Sequence, residues 1–281
     1  PIREHLTGEP LSGIRFLPGT GCGLDTANGV WCWEDGPVQQ SSDIWSSNTA
    51  FRVIDFDNEP LRATTGGSAQ GNKSGGRTCV VREDTTIACW GNTGGGSTSD
   101  PNGHFPETPG CAFCAAYPTT VRDQGAQGVP LDGFAKVFVT SYSIAAIDVE
   151  GALWAWGGYY FFRAYGDDQA LPYEHPRKIT GLPPVSDVVV DEYGVCVLTA
   201  ENGEVLCRAH QKESEGWITL TDDTGAPLDA VKSITYTGQQ PVVIHRENNE
   251  VWLTRFNNVN LGGSAGTLEA LTTYPLLPAQ G

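Results

Sequence analysis

The sequence predicts an all-β chain folded as a β-propeller of about five blades, and three observations carry that reading. One hairpin pattern recurs five times along the chain, cysteines mark its opposed positions, and the hairpins are apolar on both faces. The background composition agrees. Gly 35 and Pro 18 make turns frequent, charged residues are only 18% of the chain, and no long segment holds a 3.6-residue apolar period.

The five copies are Cys22 to Trp33, Cys79 to Trp90, Ala145 to Trp156, Cys196 to Arg208, and Val242 to Thr254. Each is a β-rich run, a polar turn and a second β-rich run, which is the pattern of a hairpin. Residues that face each other across a hairpin have a constant index sum. The ten-residue spacing of Cys22 and Cys32 therefore sets Leu24 against Val30 and Gly23 against Trp31. The same spacing sets Cys79 against Cys89 and Val81 against Ile87. Cys196 and Cys207 are eleven apart because their turn is one residue longer, and Leu198 then faces Val205. In the third copy Ala145 stands opposite Ala155, and the fifth is read with Val242 opposite Leu253. Where one sulfur is missing, its partner is missing too. Directly opposed residues lie close enough for a disulfide, so the pairs Cys22–Cys32, Cys79–Cys89 and Cys196–Cys207 follow. Cys111 and Cys114 are left to pair with each other.

Both faces of the repeated hairpins are apolar, as with Leu198 and Val205 on one side of the fourth and Val197 and Leu206 on the other. The fifth is read with Ile244 and Val251 on one face and Val243 and Trp252 on the other. Sheets of this kind must be covered on both sides, and small sheets stacked around an axis satisfy that. The positions equivalent to Trp33 are 90, 156, 208 and 254, spaced 46 to 66 residues apart. A mean near 55 fits about five units, with six or seven blades including degenerate units as the alternative. Runs at 13–16, 135–139, 185–190 and 231–236 supply a further strand before four of the hairpins, giving three or four strands per unit. The domain reading is a single propeller over 1–281 with a Pro/Gly-rich insertion at about 93–130.

With 17 Lys+Arg against 33 Asp+Glu the net charge is −16. Such a surface repels phosphate, which argues against nucleic acid as a partner. No run of 18 apolar residues exists, so no helical span of a membrane is expected. Met is absent and the sequence starts at Pro1, which reads as a trimmed mature chain. Eight cysteines suit an oxidising compartment, so the expected location is secreted, cell-surface or periplasmic.

The chain carries few of the motifs that support chemistry. No nucleophile-elbow, zincin or phosphate-cradling motif is present, so no catalytic residue is assigned. Cys111 and Cys114 form a CxxC, but in a Pro/Gly-rich stretch with no helix to lower a thiol pKa, which reads as structural. Asp55, Asp57 and Glu59 place carboxylates at alternating positions and could take Ca²⁺, with an acidic turn as the plainer reading. The histidines 5, 104, 175, 210 and 245 fall at different places in the repeat. Tyr159, Tyr160, Phe161 and Phe162, with Tyr165, follow the third hairpin. Consecutive aromatics in a connection either pack on a neighbouring blade or form a contact surface for protein or glycan.

The motifs Cys22-x-Leu24 with Gly29-Val30-Trp31-Cys32-Trp33, Cys79-Val80-Val81 with Cys89-Trp90-Gly91-Asn92, and Ala145-Ala146-Ile147 with Leu153-Trp154-Ala155-Trp156-Gly157 resemble the repeat of the regulator-of-chromosome-condensation family. The resemblance is nearest to its bacterial extracellular branch with paired hairpin cysteines, and it covers about half of each unit. The family usually continues with Gly-Gln-Leu-Gly, where this chain has other residues at 34–38 and 93–97. It typically closes seven blades. The resemblance implies a non-catalytic binding platform for a protein or glycan, with an inhibitor as one form, since a similar bacterial propeller covers β-lactamases with loops from one face. It is read here as a monomer without a resident cofactor. An enzyme with a site at the central channel and a structural module of a larger surface protein are the alternatives. Peptide mapping without reduction should return cross-links within each hairpin, and any link between hairpins would break the register argued above.

Overall fold

The structure, a computed structural model, describes residues 2–4, 7–17, 22–33, 49–53, 61–65, 67–69, 77–92, 107–108, 111–123, 128–139, 143–157, 176–190, 194–209, 216–221, 225–236, 241–246 and 251–255, some in their backbone alone. All regular elements among these residues are strands, and they form five small sheets. The chain divides into two compact units. The first holds 1–149, 154–158 and 171–178; the second holds 150–153, 159–170 and 179–281.

In the first unit the leading sheet contains β1 (Arg3–Glu4), β2 (Arg15–Leu17), β3 (Cys22–Leu24), β4 (Val30–Trp33) and β5 (Thr49–Arg52), in the order β1-β5-β4-β3-β2. The second sheet has β6 (Ala63–Thr65), β8 (Arg77–Arg82), β9 (Ile87–Asn92), β10 (Glu107–Thr108) and β11 (Cys111–Thr120), in the order β10-β11-β9-β8-β6. The short β7 (Gly67–Ala69), between β6 and β8 in sequence, crosses to the third sheet and pairs in parallel with its first strand. That sheet contains β12 (Phe134–Val139), β13 (Ser143–Asp148), β14 (Leu153–Gly157) and β15 (Arg177–Lys178). Three or four strands per unit were expected. The first three sheets carry five, because β1, β10 and β7 each add one. The Pro/Gly-rich stretch at 93–130 supplies β10 and β11.

In the second unit, β16 (Val185–Val190), β17 (Gly194–Thr199), β18 (Val205–Ala209) and β19 (Ile218–Thr219) make a four-stranded sheet. The fifth sheet has β20 (Val231–Tyr236), β21 (Pro241–Arg246) and β22 (Val251–Arg255).

The hairpin registers are those expected for four pairs of facing residues. Gly23 meets Trp31 and Leu24 meets Val30, Val81 meets Ile87, and Leu198 meets Val205. Disulfides join Cys22–Cys32, Cys79–Cys89 and Cys196–Cys207, with Cα atoms 3.9, 4.1 and 4.1 Å apart. The fifth hairpin corrects the sequence reading by one residue. Val243, not Val242, stands opposite Leu253; Ile244 faces Trp252 and His245 faces Val251. Ile244 and Val251 therefore lie on opposite faces of the sheet. The cause is turn length: five residues separate the last facing pair here, as in the first two hairpins, whereas the fourth has six.

All three disulfides are buried, and the first and last sit in the cores between sheets. Cys22, Leu24, Val30 and Cys32 pack against Val80, Ala88 and Trp90 of the second sheet. Cys196, Leu198, Val205 and Cys207 pack against Val231 and Ile234 of the fifth. Both faces of β3 and β4 are buried throughout, as two-sided covering requires.

One backbone link recurs four times. A turn residue with positive φ lends its carbonyl to the first amide of the next sheet's leading strand. The pairs are Asn28–Ala63 at 3.0 Å, Thr85–Phe134 at 3.0 Å, Gly151–Val185 at 2.7 Å and Gly203–Val231 at 3.1 Å. The φ values at the acceptors are 63°, 66°, 82° and 63°. Each donor residue is buried and apolar. Each is followed by a register shift between it and the residue two further on, as in a β-bulge. A bulge leaves one residue unpaired and bends the strand.

The left-handed backbone at these turns suits glycine or asparagine, because a Cβ there meets the following carbonyl. At Gly151 an added Cβ would also lie 2.9 Å from the Pro184 Cβ, and at Gly203 3.1 Å from the Val231 amide nitrogen. Gly151→Ala and Gly203→Ala should each cost about 1–3 kcal/mol. Asn28→Gly, which keeps the carbonyl and removes the strain, should stay within about 0.5 kcal/mol. Urea midpoints at unchanged slope test the contrast.

Candidate functional site

Antiparallel order gives each sheet two unlike ends. The turn between its second and third strands, and the exit to the next sheet, lie at one end. The connections from first to second strand and from third to fourth lie at the other. The hairpin turns are four or five residues long, at 25–29, 83–86, 149–152, 200–204 and 247–250. The third-to-fourth connections span 34–48, 93–110 with β10 inside it, 158–176 and 210–217.

The turn end is occupied by internal hydrogen bonding. Asp25 Oδ1 accepts from the Ala27 and Gly29 amides at 2.8 Å each, and its Oδ2 accepts from Trp31 Nε1 at 2.9 Å. Arg52 on β5 approaches the same carboxylate at 4.0 Å and lies 5.8 Å from the Trp31 ring centroid. The third sheet repeats the arrangement. Asp148 Oδ2 accepts from Trp154 Nε1 at 2.9 Å, with Lys178 at 3.5 Å from the carboxylate and 6.0 Å from the indole centroid. In the second sheet the three places hold Arg82, Ala88 and Thr120, and Arg82 Nη1 donates to Thr120 Oγ1 at 2.7 Å. In the fourth they hold Thr199, Leu206 and Thr219. In the first four sheets acid, tryptophan and cation are kept or replaced together, as a contact between the third and fourth strands, whereas the fifth sheet has Trp252 with Arg246 at the acid's place.

Burial alone would raise the Asp25 pKa. The Trp31 indole, the Gly29 and Ala27 amides and the Arg52 charge more than offset it and hold the carboxyl below its usual value of 3.8. For Asp84 burial again acts upward. The Thr86 hydroxyl and amide, 2.7 and 3.0 Å from its Oδ1, and the Arg82 charge bring it below the usual value.

The residues expected to bind lie elsewhere. Tyr159, Tyr160, Phe161, Phe162 and Tyr165 belong to the 158–176 connection between β14 and β15, outside the described residues. Asp55, Asp57 and Glu59 are also outside them, on the exit from the first sheet, between Val53 and Leu61. The two sets thus leave their own sheets from opposite ends. Cys111 and Cys114 are placed on β11 in their backbone alone, so their pairing lies outside the described side chains. Of the histidines, only the backbone of His245 is described, opposite Val251. Among the described residues no group of three or more His, Cys, Asp or Glu is arranged to hold a metal ion.

Two features escaped the sequence reading although both have a sequence signal. One is the six-residue spacing of Asp25 from Trp31 and Asp148 from Trp154. The other is the segment that enters each new sheet: Leu131-Asp-Gly-Phe134, Leu182-Pro-Pro-Val185 and Leu228-Asp-Ala-Val231. Its structural counterpart is a ladder in which Leu131 N bonds Val121 O at 3.1 Å and Leu228 N bonds Leu220 O at 2.8 Å.

No protein-family model matches the chain, and no curated protein matches it. Solved structures do. Human WBSCR16 superposes with a TM-score of 0.57 at 14% identity, over 89% of this chain and 64% of that one. Prp20p from Saccharomyces cerevisiae gives 0.58 at 13% identity, over 94% of this chain and 65% of that one. The complex of Kap60 with yeast RCC1 (Prp20) gives 0.56 at 15% identity, over 86% and 56%. The fold is that of the RCC1-type repeat β-propeller. The chain spans between 56% and 65% of the length of these RCC1-type chains.

The lowered Asp25 pKa fixes the sign of a pH effect. Its contribution to stability is present above the unfolded-state value and is lost as pH falls through the lower folded-state value. The melting-temperature gap between wild type and Asp25→Asn should therefore be full at neutral pH and narrow only as the pH falls below the usual carboxyl value of 3.8. A gap that widens on acidification would refute this assignment.

Proposed function

We propose that this RCC1-type propeller is an extracellular, non-catalytic binding protein that meets a protein or glycan partner with its third-to-fourth-strand connections. The observation that carries the reading is the division of each sheet into two ends. At the turn end, the Asp25, Asp84 and Asp148 carboxylates and the carbonyls of Asn28, Thr85, Gly151 and Gly203 are committed to turn capping, to contacts with neighbouring strands and to the next sheet. At the opposite end the connections are long, unequal in length and rich in Gly, Ser and aromatic residues. Unequal loops on a rigid scaffold are the usual place for recognition.

Two of the similar structures concern proteins that bind proteins. One describes the binding of Prp20p to Gsp1p and histones, the other Kap60 bound to yeast RCC1. Those partners belong to those proteins; what supports a different partner here is the chemistry of this chain. Three buried disulfides suit an oxidising compartment, and a net charge of −16 disfavours nucleic acid. An inhibitor that covers an enzyme with the 158–176 connection is the specific form of this reading.

Affinity capture from the producer's culture medium, with the oxidised protein as bait, supplies the partner. The double variant Tyr160→Ser/Phe161→Ser then tests the surface. It should leave the melting temperature within about 2 °C of wild type and weaken binding about thirtyfold, the effect of losing about 2 kcal/mol of aromatic contact. A loss of stability of about 3–5 kcal/mol, the size of a large core truncation, would show that these aromatics pack on a blade and end the assignment.

A further inference from the structure

We propose that residues 2–4 and 7–12 belong to a releasable strap over one face of the first sheet. The face in question carries Trp31, Trp33 and Ala50, and the side chains packed on it are Ile2, Leu11 and Ile14. Phe16 belongs to the same face by register, since it pairs with Gly23, which in turn pairs with Trp31. Its ring stands edge-on to Trp33 at 5.4 Å and is 65% exposed. The matching positions in the third, fourth and fifth sheets, Val137, Val188 and Ile234, are at most 4% exposed. The first sheet therefore covers this face by a different means from those three, and the cover is the N-terminal segment.

The hydrogen bonding of the segment is what makes it separable. Glu4 N bonds Glu9 O, Gly8 N bonds Glu4 O and Leu11 N bonds Ile2 O, each at 2.9 Å, and Arg3 bridges to Pro10. Arg3 Nη1 donates to Gly8 O at 2.8 Å, and Thr7 Oγ1 donates to Glu4 Oε2 at 2.9 Å. These bonds close within the segment and survive if it moves as a body. Its attachment to the sheet is a two-residue parallel pairing, Arg3 with Thr49 and Glu4 with Ala50, plus the half-buried Ile2 and Leu11, while Ile14 lies on the far side of Gly13. Gly13, at φ 68°, lies between the strap and β2, where the chain can change direction with little steric penalty. Release costs few hydrogen bonds and exposes the Trp31 and Trp33 face together with the free edge of β5, a strand edge able to pair with another segment.

Hydrogen exchange on the full chain tests this. Ile2→Ser/Leu11→Ser removes the two apolar anchors and should speed amide exchange at 49–52 by about tenfold or more. Exchange within 22–33 should stay at the wild-type rate, and tryptophan emission should move to longer wavelength. Joining the facing pair as Arg3→Cys/Thr49→Cys should slow exchange at 49–52 below wild type. Equal acceleration across 22–33 would make the segment an integral part of the sheet and overturn the proposal. Unchanged exchange at 49–52 in either variant would overturn it as well.

Discussion

A carbonyl turned outward by a left-handed residue is the means by which each hairpin takes hold of the sheet that follows. At Asn28, Thr85, Gly151 and Gly203 the positive φ aims the oxygen away from the hairpin's own ladder and toward an incoming amide. The amide belongs to Ala63, Phe134, Val185 or Val231, whose side chain is buried. Apolar burial and a hydrogen bond are thus satisfied at the same residue, and the bulge after it lets the strand bend to accept both. A buried amide without a partner would cost about 1–3 kcal/mol, so this placement constrains every later step in the chain.

The disulfides act within that constraint. Each closes a rung of a hairpin that is already in register, and the first and last sit in the apolar layer against the next sheet. They narrow the unfolded ensemble around the rung that has to face the neighbouring sheet. The third and fifth hairpins do without sulfur, with Ala145 and Ala155 in one and Val243 and Leu253 in the other. In the third hairpin Ala145 and Ala155 are fully buried without a cross-link.

Much of this was legible in the sequence because strand geometry has a period of two and hairpin partners share an index sum. Cysteine spacing alone gave the facing pairs of three hairpins. In the fifth there is no sulfur to mark the rung, and Val242, Val243 and Ile244 are interchangeable by composition, so the register slipped by one. The entry segments Leu131–Phe134 and Leu228–Val231 went unread because their regularity belongs to the joints between sheets, and hairpin periodicity cannot show a joint. The candidate surface was legible only as composition. Aromatics at 159–165 announce that something must cover them, while the choice between a blade and a partner depends on tertiary contacts that no local pattern encodes.

The split between the two ends of each sheet also bears on how such a chain can vary. A residue added to a hairpin turn shifts a carbonyl that the next sheet needs, and the fourth hairpin accommodates its extra residue by keeping Gly203 at the acceptor position. A residue added after Trp33, Asn92 or Gly157 displaces none of the four carbonyls described. Length changes are thereby channelled to one end of the sheets, leaving the ladders in phase. In engineering terms the chain is a display frame. Randomised loops could be inserted at those three junctions and selected for new targets while the disulfide-bonded hairpins and their joints stay as they are.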